Sequence, residues 1–208
     1  MKSPKDGATL PAGQKVPFSF ALENYELKNQ TDAPPREALA NSAEGQHLHV
    51  ILNNAPYMAK YDEAFELDLE PGRYLMLTFL SRSYHESVKN PEAYTVSQFV
   101  VGEPYGEPYD AKAAHLFYSR PKGSYTAAEA KNLLLDFYLL NTNLSEDGNK
   151  VRATVNGQTF LLNEWAPYII QGLMPGEVTI KLELMNSEGA PIPGPFNSVE
   201  RTITITEA

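Results

Sequence analysis

The sequence contains no cysteine, and this absence removes several kinds of chemistry at once. Without a thiol the chain cannot form disulfides, a cysteine nucleophile, a zinc ribbon or an iron–sulfur cluster. The absence does not assign a cellular compartment, because many periplasmic proteins also lack disulfides.

Long apolar runs and basic clusters are also absent. No segment approaches the roughly 18 apolar residues that a membrane-spanning helix needs, so we predict no transmembrane segment. The formal net charge is −9, from 26 acidic and 17 basic residues, and this balance makes nucleic acid and anionic membranes poor partners. The first residues, Met1–Gly7, contain no apolar signal core, which fits either a chain without a signal or a mature chain.

The remaining composition is that of a globular β protein. Of the 208 residues, 42% are hydrophobic and 21% are charged, which excludes a disordered chain. Short alternating apolar runs are separated by turns rich in the 13 Gly and 16 Pro, a pattern typical of antiparallel sheets. Only residues 126–131 suggest helix, and these predict no more than a turn or two.

An internal repeat is the most informative feature of the sequence. Residues 16–27 match residues 133–144 at six positions with a constant offset of 117 residues. Further matches follow with offsets of 103 and 104 residues, namely 48–53 with 151–156 and 69–72 with 173–176. The repeat indicates that one β domain has been duplicated.

Each copy supplies about seven short strands, the number found in an immunoglobulin-like domain. We therefore predict an all-β chain of two tandem immunoglobulin-like antiparallel β-sandwich domains that arose by internal duplication. The first domain spans 1–102, a linker spans 103–115 and the second domain spans 116–208. We expect the single tryptophan, Trp165, to be largely buried.

Histidines are concentrated in the first copy and the linker. His47 and His49 open a strand predicted over 46–53, and His85 follows a strand predicted over 73–82. Neighbouring antiparallel strands bring the start of one beside the end of the other, and alternation places all three side chains on one outward face. We therefore predict a site for one Cu or Zn ion, since both metals suit imidazole ligands. His115, from the linker, is the suggested fourth ligand.

The alternative is that these histidines bind nothing, because a His-x-His pair on a surface strand is common without a ligand. The second copy has other residues at the corresponding positions: Lys150, Arg152 and Gly189. The fold therefore does not require histidine there. About 14 residues, including Pro34-Pro35, are inserted before His47 relative to the second copy, so unusual loops lie at the same end.

An apolar stripe is expected on the outward face of the strand over 73–82. Its residues are Leu75, Leu77 and Phe79, and two interpretations remain open. Either the second domain or a long loop packs there, or the stripe is a surface for a protein partner.

A basic set suggests a third kind of ligand. Arg82, Lys89, Arg120 and Lys122, with Tyr84 and Tyr118 nearby in the sequence, could hold a phosphate group. The alternative is that these side chains cover the joint between the domains.

We predict that the chain is not an enzyme and has no catalytic residues. Ser81, His85 and Glu86 are the residue types of a hydrolase triad, but neighbouring residues of an extended chain point apart. No cofactor motif and no glycine-rich phosphate loop occurs.

Three stretches, 45–57, 79–90 and 117–123, together resemble a family of secreted or lipid-anchored Bacteroidetes proteins that is often labelled phosphopeptide-binding. The resemblance spans both copies. It implies a bacterial periplasmic, cell-envelope or secreted location, and a mature chain whose signal and lipidated cysteine are missing from this sequence. It brings no catalytic residues with it.

The predicted function is thus that of a non-enzymatic cell-envelope binding protein that holds a transition metal through histidines of its first domain. One alternative is a protein-interaction, adhesion or assembly subunit that binds a protein of the cell envelope. Another is a phosphate- or phosphopeptide-binding module.

Overall fold

A computed structural model describes residues 1–32 and 39–207 of the chain. The described residues form short β-strands and two 3-10 turns, Pro91–Ala93 and Glu129–Asn132, and the second turn corresponds to the helical suggestion in the sequence. The inserted Pro34-Pro35 lies outside the described residues. Within the described part, no helix is long and apolar enough to cross a membrane.

The chain forms two compact units, each a small β-sandwich. The first comprises Met1–Asp32 and Asn41–Ala111. The second contains Leu39, Ala40 and all described residues from Lys112 onward. The predicted fold class, two tandem immunoglobulin-like sandwiches, is confirmed.

The first unit has two sheets that enclose one apolar core. A five-stranded sheet has the order β1-β7-β6-β3-β4, and β2 pairs with β5. The strands are β1 (Ala8–Leu10), β2 (Val16–Ser19), β3 (His47–Leu52), β4 (Met58–Lys60), β5 (Ala64–Leu67), β6 (Gly72–Ser81) and β7 (Tyr94–Val101). Phe18 and Phe20 come from the β2 side, and Leu48, Met76 and Phe99 come from the larger sheet. Alternation along β3 and β6 thus turns every second residue into this core.

The second unit repeats the arrangement. Its larger sheet has the order β12-β11-β14-β15-β9, and a smaller sheet has the order β13-β10-β8. The strands are β8 (His115–Arg120), β9 (Ser124–Thr126), β10 (Leu133–Leu140), β11 (Lys150–Val155), β12 (Gln158–Leu162), β13 (Tyr168–Ile170), β14 (Gly176–Met185) and β15 (Ser198–Thr206). In both units the larger sheet ends in one parallel pair, β1 with β7 and β9 with β15. The equivalent order supports duplication of a single domain.

Equivalent asparagines repeat the same turn in the two units. Asn53 and Asn156 have left-handed backbone angles, with φ of 50° and 46°. The Leu75 amide donates to Asn53 Oδ1 at 2.8 Å, and the Thr179 amide donates to Asn156 Oδ1 at 2.9 Å. The shared backbone geometry and hydrogen bonds extend the sequence repeat to local structure.

Trp165 is mostly but not completely buried, in agreement with the expectation. Its indole packs against the second core but remains partly exposed. Nε1 donates to the carbonyl oxygen of Phe137 at 2.9 Å, and the ring meets Tyr138 edge-on at 4.8 Å. At the margin of the sandwich the indole can bury its apolar atoms and still place its one polar atom on a hydrogen-bond partner.

Candidate metal centre

The register of β3 and β6 places the histidines at one end of the first sandwich. His47 lies opposite Ser81, and His49 lies opposite Phe79. His85 follows the end of β6 by four residues. The start of β3 therefore lies beside the end of β6, as the sequence predicts.

The three histidine rings converge on one point. His47 Nε2 lies 2.9 Å from His49 Nε2 and 3.1 Å from His85 Nδ1. One nitrogen from each ring lies within 4.8 Å of the other two. The predicted clustering of His47, His49 and His85 is confirmed. Within residues 1–32 and 39–207, no other group of three His, Asp or Glu side chains has this geometry.

The carbonyl oxygen of Gly45 fixes the orientation of His47. A carbonyl only accepts, so His47 donates its Nδ1 hydrogen to this oxygen, at 2.8 Å. In the neutral ring the Nε2 lone pair then faces the cluster. Metal-binding histidines commonly donate their second nitrogen to a carbonyl in this way.

Gly45 is required at this position for two reasons. Its φ is +85°, in the left-handed region, and a Cβ would lie 2.5 Å from the backbone oxygen of Lys28. The residue is held there by backbone hydrogen bonds of its neighbours, with Lys28 donating to Gln46 and Gln46 donating to Asn29. The segment before β3 thus sets the position of the oxygen that orients His47.

His49 is enclosed by side chains of the neighbouring strands. Its ring stacks on Tyr57 with centroids 3.6 Å apart and planes inclined by 10°, and it meets Phe79 at 5.1 Å. Ser81 Oγ lies 3.1 Å from His49 Nε2. His47 and His49 are fully buried, although alternation alone predicted an outward face, because the rings of Tyr57, Tyr61 and Phe79 pack against them.

His85 is held in a strained turn. Its φ is +69°, an unusual value for a residue other than glycine. The His85 amide donates to the carbonyl of Arg82, and the Arg82 amide donates to the carbonyl of Glu86, each at 2.9 Å. Strain of this kind is often retained at functional sites. The turn aims the ring of His85 back at the two strand histidines.

Further hydrogen bonds hold this end of the sandwich together. Thr31 and Ser83 exchange two bonds, each amide donating to the other hydroxyl, at 3.1 and 3.0 Å. Tyr25 donates its hydroxyl to the carbonyl of Ser81 at 2.8 Å. Burial raises the pKa of Tyr25, against a smaller opposing effect of Arg82, so this phenol remains a donor at neutral pH. The strand end that carries the cluster is therefore fixed from both sides.

Two of the three distances are compatible with one ion. Metal–nitrogen bonds of about 2.0–2.1 Å place tetrahedral ligands about 3.3 Å apart, close to the two distances from His47 Nε2. When His47 is neutral, either His49 Nε2 or His85 Nδ1 can donate a hydrogen to His47 Nε2. An ion held at this point would displace such a hydrogen.

His115, the suggested fourth ligand, is not part of the cluster. It opens β8 in the second unit, and its ring packs between Phe117 and Phe196 with centroids 6.4 and 5.7 Å away. Its place at the end of the predicted linker suggested that it could reach the cluster, but it begins strand β8 and lies among aromatic residues.

The predicted partner surface is also wrong. Leu75, Leu77 and Phe79 are at most 1% exposed, so none of them offers a free apolar surface. The large apolar side chains that are exposed lie elsewhere, among them Leu161 and Met174 at 62% and 76%.

The suggested phosphate-binding set is not assembled as expected. Tyr84 and Arg120 are buried, and Arg120 donates to the hydroxyl of Tyr125 at 2.8 Å. Arg82 is partly exposed, but its Nε lies 3.8 Å from a carboxylate oxygen of Glu86, which opposes an added anion. Arg82 and Arg120 also belong to different units.

In the second unit, an ion pair occupies the strand positions that are equivalent to part of the histidine cluster. Arg152 lies opposite Glu183, at the place where the first unit pairs His49 with Phe79, and Arg152 Nε donates to the carboxylate at 2.9 Å. Lys181 Nζ is also 2.9 Å from Glu183. Burial raises the pKa of Glu183, but the hydrogen bonds and charges of Lys181 and Arg152 outweigh burial and hold it below its ordinary value. An ion pair thus replaces the aromatic pair.

Two tyrosines beside the cluster were missed in the sequence. Tyr57 stacks on His49, and Tyr61 meets the ring of His47 at 4.9 Å. The register pairs His49 with Ala59 in β4, so residues 57, 59 and 61 alternate onto the histidine face. Alternation along the segment after Pro56 could have placed both tyrosines on the histidine face.

Comparisons with known proteins give only weak similarities. No protein-family model and no curated protein matches. The fibronectin(III)-like modules of CbhA from Clostridium thermocellum match with 12% identity, a TM-score of 0.35, and coverage of 99% of this chain and 93% of theirs. SGBP-B of the Bacteroides ovatus mixed-linkage glucan utilization locus, in complex with a mixed-linkage heptasaccharide, matches with 10% identity, a TM-score of 0.30, and coverage of 99% and 67%. VCBP3, a v-region-containing chitin binding protein, matches with 9% identity, a TM-score of 0.28, and coverage of 97% and 96%. Similarities at this level transfer no function to this chain.

Proposed function

We propose that this chain is a non-enzymatic binding protein whose first domain holds one Cu or Zn ion on His47, His49 and His85. The observation that carries the proposal is the convergence of three ring nitrogens, with 2.9 and 3.1 Å between His47 Nε2 and the other two.

Three further features support the proposal. Gly45 holds His47 in the orientation that points a lone pair into the cluster. His85 keeps a strained backbone that aims its ring at the same point. The duplicated domain lacks all three imidazoles and keeps its fold, so the histidines are not needed for the sandwich itself.

Metal titration of the full chain tests the proposal. Metal-free protein is titrated with Cu²⁺, Zn²⁺ and Ni²⁺ by calorimetry, and the bound metal is counted by mass spectrometry. We expect one equivalent of Cu²⁺ or Zn²⁺, because neutral imidazoles bind both ions.

His49→Asn and His115→Asn form a matched pair of variants. Both histidines lie on strands and are at most 1% exposed, so the two changes disturb packing to a similar degree. We expect His49→Asn to lose stoichiometric binding and His115→Asn to keep it. The proposal fails if the unchanged protein binds no equivalent of either ion, or if the two variants lose binding equally.

A location in the bacterial cell envelope is part of the proposal. It rests on the resemblance of segments 45–57, 79–90 and 117–123 to lipid-anchored Bacteroidetes proteins. Fractionation of cells that produce the protein, followed by detection in the periplasmic, membrane and medium fractions, tests it. Recovery from the cytoplasmic fraction alone would contradict it.

A further inference from the structure

Tyr57 lies directly against the histidine cluster and is 3% exposed. Its hydroxyl oxygen is 3.4 Å from Nδ1 of His85, the same nitrogen that approaches His47. We infer that Tyr57 supplies a fourth donor to the ion held by the three histidines, and that this donor favours Cu(II) over Zn(II). This inference rests on the proposed function, because it concerns the same ion.

The distance agrees with a shared coordination sphere. Ligands around one four-coordinate ion lie about 3.3 Å apart when the bonds are about 2.0–2.1 Å. The Tyr57 oxygen and His85 Nδ1 are separated by 3.4 Å, and His85 Nδ1 and His47 Nε2 are separated by 3.1 Å. The phenol oxygen thus lies beside one of the three converging nitrogens at the spacing of a ligand.

The direction of approach differs from that of the histidines. An imidazole binds an ion in the plane of its own ring, whereas the Tyr57 ring lies parallel to the His49 ring at 3.6 Å. An ion bound to His49 would lie in the plane of that ring. The Tyr57 oxygen would therefore approach the ion from one side of this plane. A tilt of the phenol ring shortens this approach to a bonding distance.

The strand register explains how Tyr57 reaches this position. Val50 pairs with Met58, and His49 pairs with Ala59. The small side chain of Ala59 lies directly across from His49 and leaves room for a ring from the next residue on the same face. That residue is Tyr57, which stacks on His49 as a diagonal neighbour.

An oxygen donor beside three imidazoles selects among the metals that imidazoles bind. Tetragonal sites with nitrogen and oxygen ligands suit Cu(II), and Cu(II) also leads the general order of affinity. Zn(II) is almost always bound in tetrahedral rather than tetragonal geometry. Four protein donors would also leave no position for a substrate or a reactive water, in agreement with a non-enzymatic site.

Tyr57→Phe and Tyr61→Phe test this inference as a matched pair. Each change removes one hydroxyl and keeps a ring beside a histidine. The Tyr61 hydroxyl pairs with Ser42 Oγ at 2.7 Å, so its loss should leave the ion unaffected. The full chain and both variants are titrated with Cu(II) and Zn(II), and azide is then added to the Cu(II) forms while absorption and paramagnetic resonance spectra are recorded.

We expect Tyr57→Phe to lose at least tenfold in Cu(II) affinity and less in Zn(II) affinity. Azide should bind Cu(II) only in this variant, because only there is a coordination position open. The unchanged protein provides a second test, since azide should leave its Cu(II) spectrum unaltered whether or not the variant folds.

Two results overturn the inference while leaving the proposed function intact. One is azide binding to Cu(II) in the unchanged protein, and the other is equal Cu(II) affinity in Tyr57→Phe and Tyr61→Phe. Failure of the unchanged protein to bind Cu(II) or Zn(II) at one equivalent is a different outcome, because it removes the metal site itself.

Discussion

The backbone oxygen of Gly45 accepts the Nδ1 hydrogen of His47 at 2.8 Å, although the two residues are separated by only one position in the sequence. This contact requires the left-handed backbone of Gly45, which has no room for a side chain. The orientation of a fully buried histidine thus depends on a glycine outside the strand.

We predict that Gly45→Ala lowers both stability and metal affinity. A Cβ at φ +85° is strained and would meet the Lys28 oxygen at 2.5 Å, so unfolding should become easier by more than about 1 kcal/mol. Displacement of the carbonyl that orients His47 should weaken Cu²⁺ or Zn²⁺ binding about 10- to 100-fold. Thermal unfolding and calorimetric titration measure the two effects.

Gly7→Ala is the control for this prediction. Gly7 has a similar φ of +76° but no atom within 4 Å of an added Cβ. The control should lose some stability from backbone strain and keep full metal affinity. Equal affinities for the two variants would show that Gly45 has no orienting role.

We predict opposite effects of His85→Gly on stability and on binding. Glycine adopts a left-handed φ without strain, so the apo protein should gain up to about 1 kcal/mol in free energy of unfolding. The same change removes one of three ligands and should lower metal affinity at least tenfold. His85→Asn, which also tolerates this backbone, should lose affinity with little change in stability. Retained affinity in both variants would exclude His85 as a ligand.

We predict that Asn53→Ala and Asn156→Ala have equivalent local effects in the two domains. Each side chain accepts a backbone hydrogen, from Leu75 and Thr179 respectively, and loss of such a partner costs about 1–3 kcal/mol where the amide cannot reach water. Hydrogen exchange of those two amides should accelerate to similar extents, each only in its own variant. An effect confined to one domain would argue against equivalent roles for the two turns.

We predict that Glu183 stabilises the second domain only when it is ionised. Its folded pKa lies below its ordinary value of 4.5, so its contribution is present above about pH 4.5 and is lost as pH falls through the folded pKa. The Glu183→Gln variant should therefore be less stable than the unchanged protein at pH 7 but lose less stability between about pH 5 and pH 3. Urea unfolding followed by fluorescence of Trp165, the only tryptophan, measures this. Parallel pH profiles for the two proteins would contradict the prediction.

Local patterns in the sequence carried most of the information about the fold. The repeat offsets and the alternation of apolar residues predicted two sandwiches and the pairing that brings His85 to His47. Alternation assigns a side chain to a face of the sheet, but it does not show what covers that face. The stripe of Leu75, Leu77 and Phe79 is therefore buried although its parity predicted an outward position.

The parts of the site that were missed depend on loops and on distant pairing. The carbonyl of Gly45 is positioned by Lys28 and Asn29, which precede it by a long segment. Tyr57 reaches His49 only through the register of β4, a three-residue strand. His115 was assigned to the cluster because of its residue type and its place in the predicted linker. In the structure it pairs with Leu140 in a sheet of the second unit.

The different supports of the three histidines have a consequence for the kinetics of metal exchange. His47 and His49 are fixed in a paired strand, whereas His85 lies on a turn closed by two backbone hydrogen bonds. A strand opens far less often than a short turn, so we expect His85 to be the last ligand to bind an arriving ion and the first to release it. The residence time of the ion would then depend on the opening rate of residues 82–86, independently of how tightly the closed site binds.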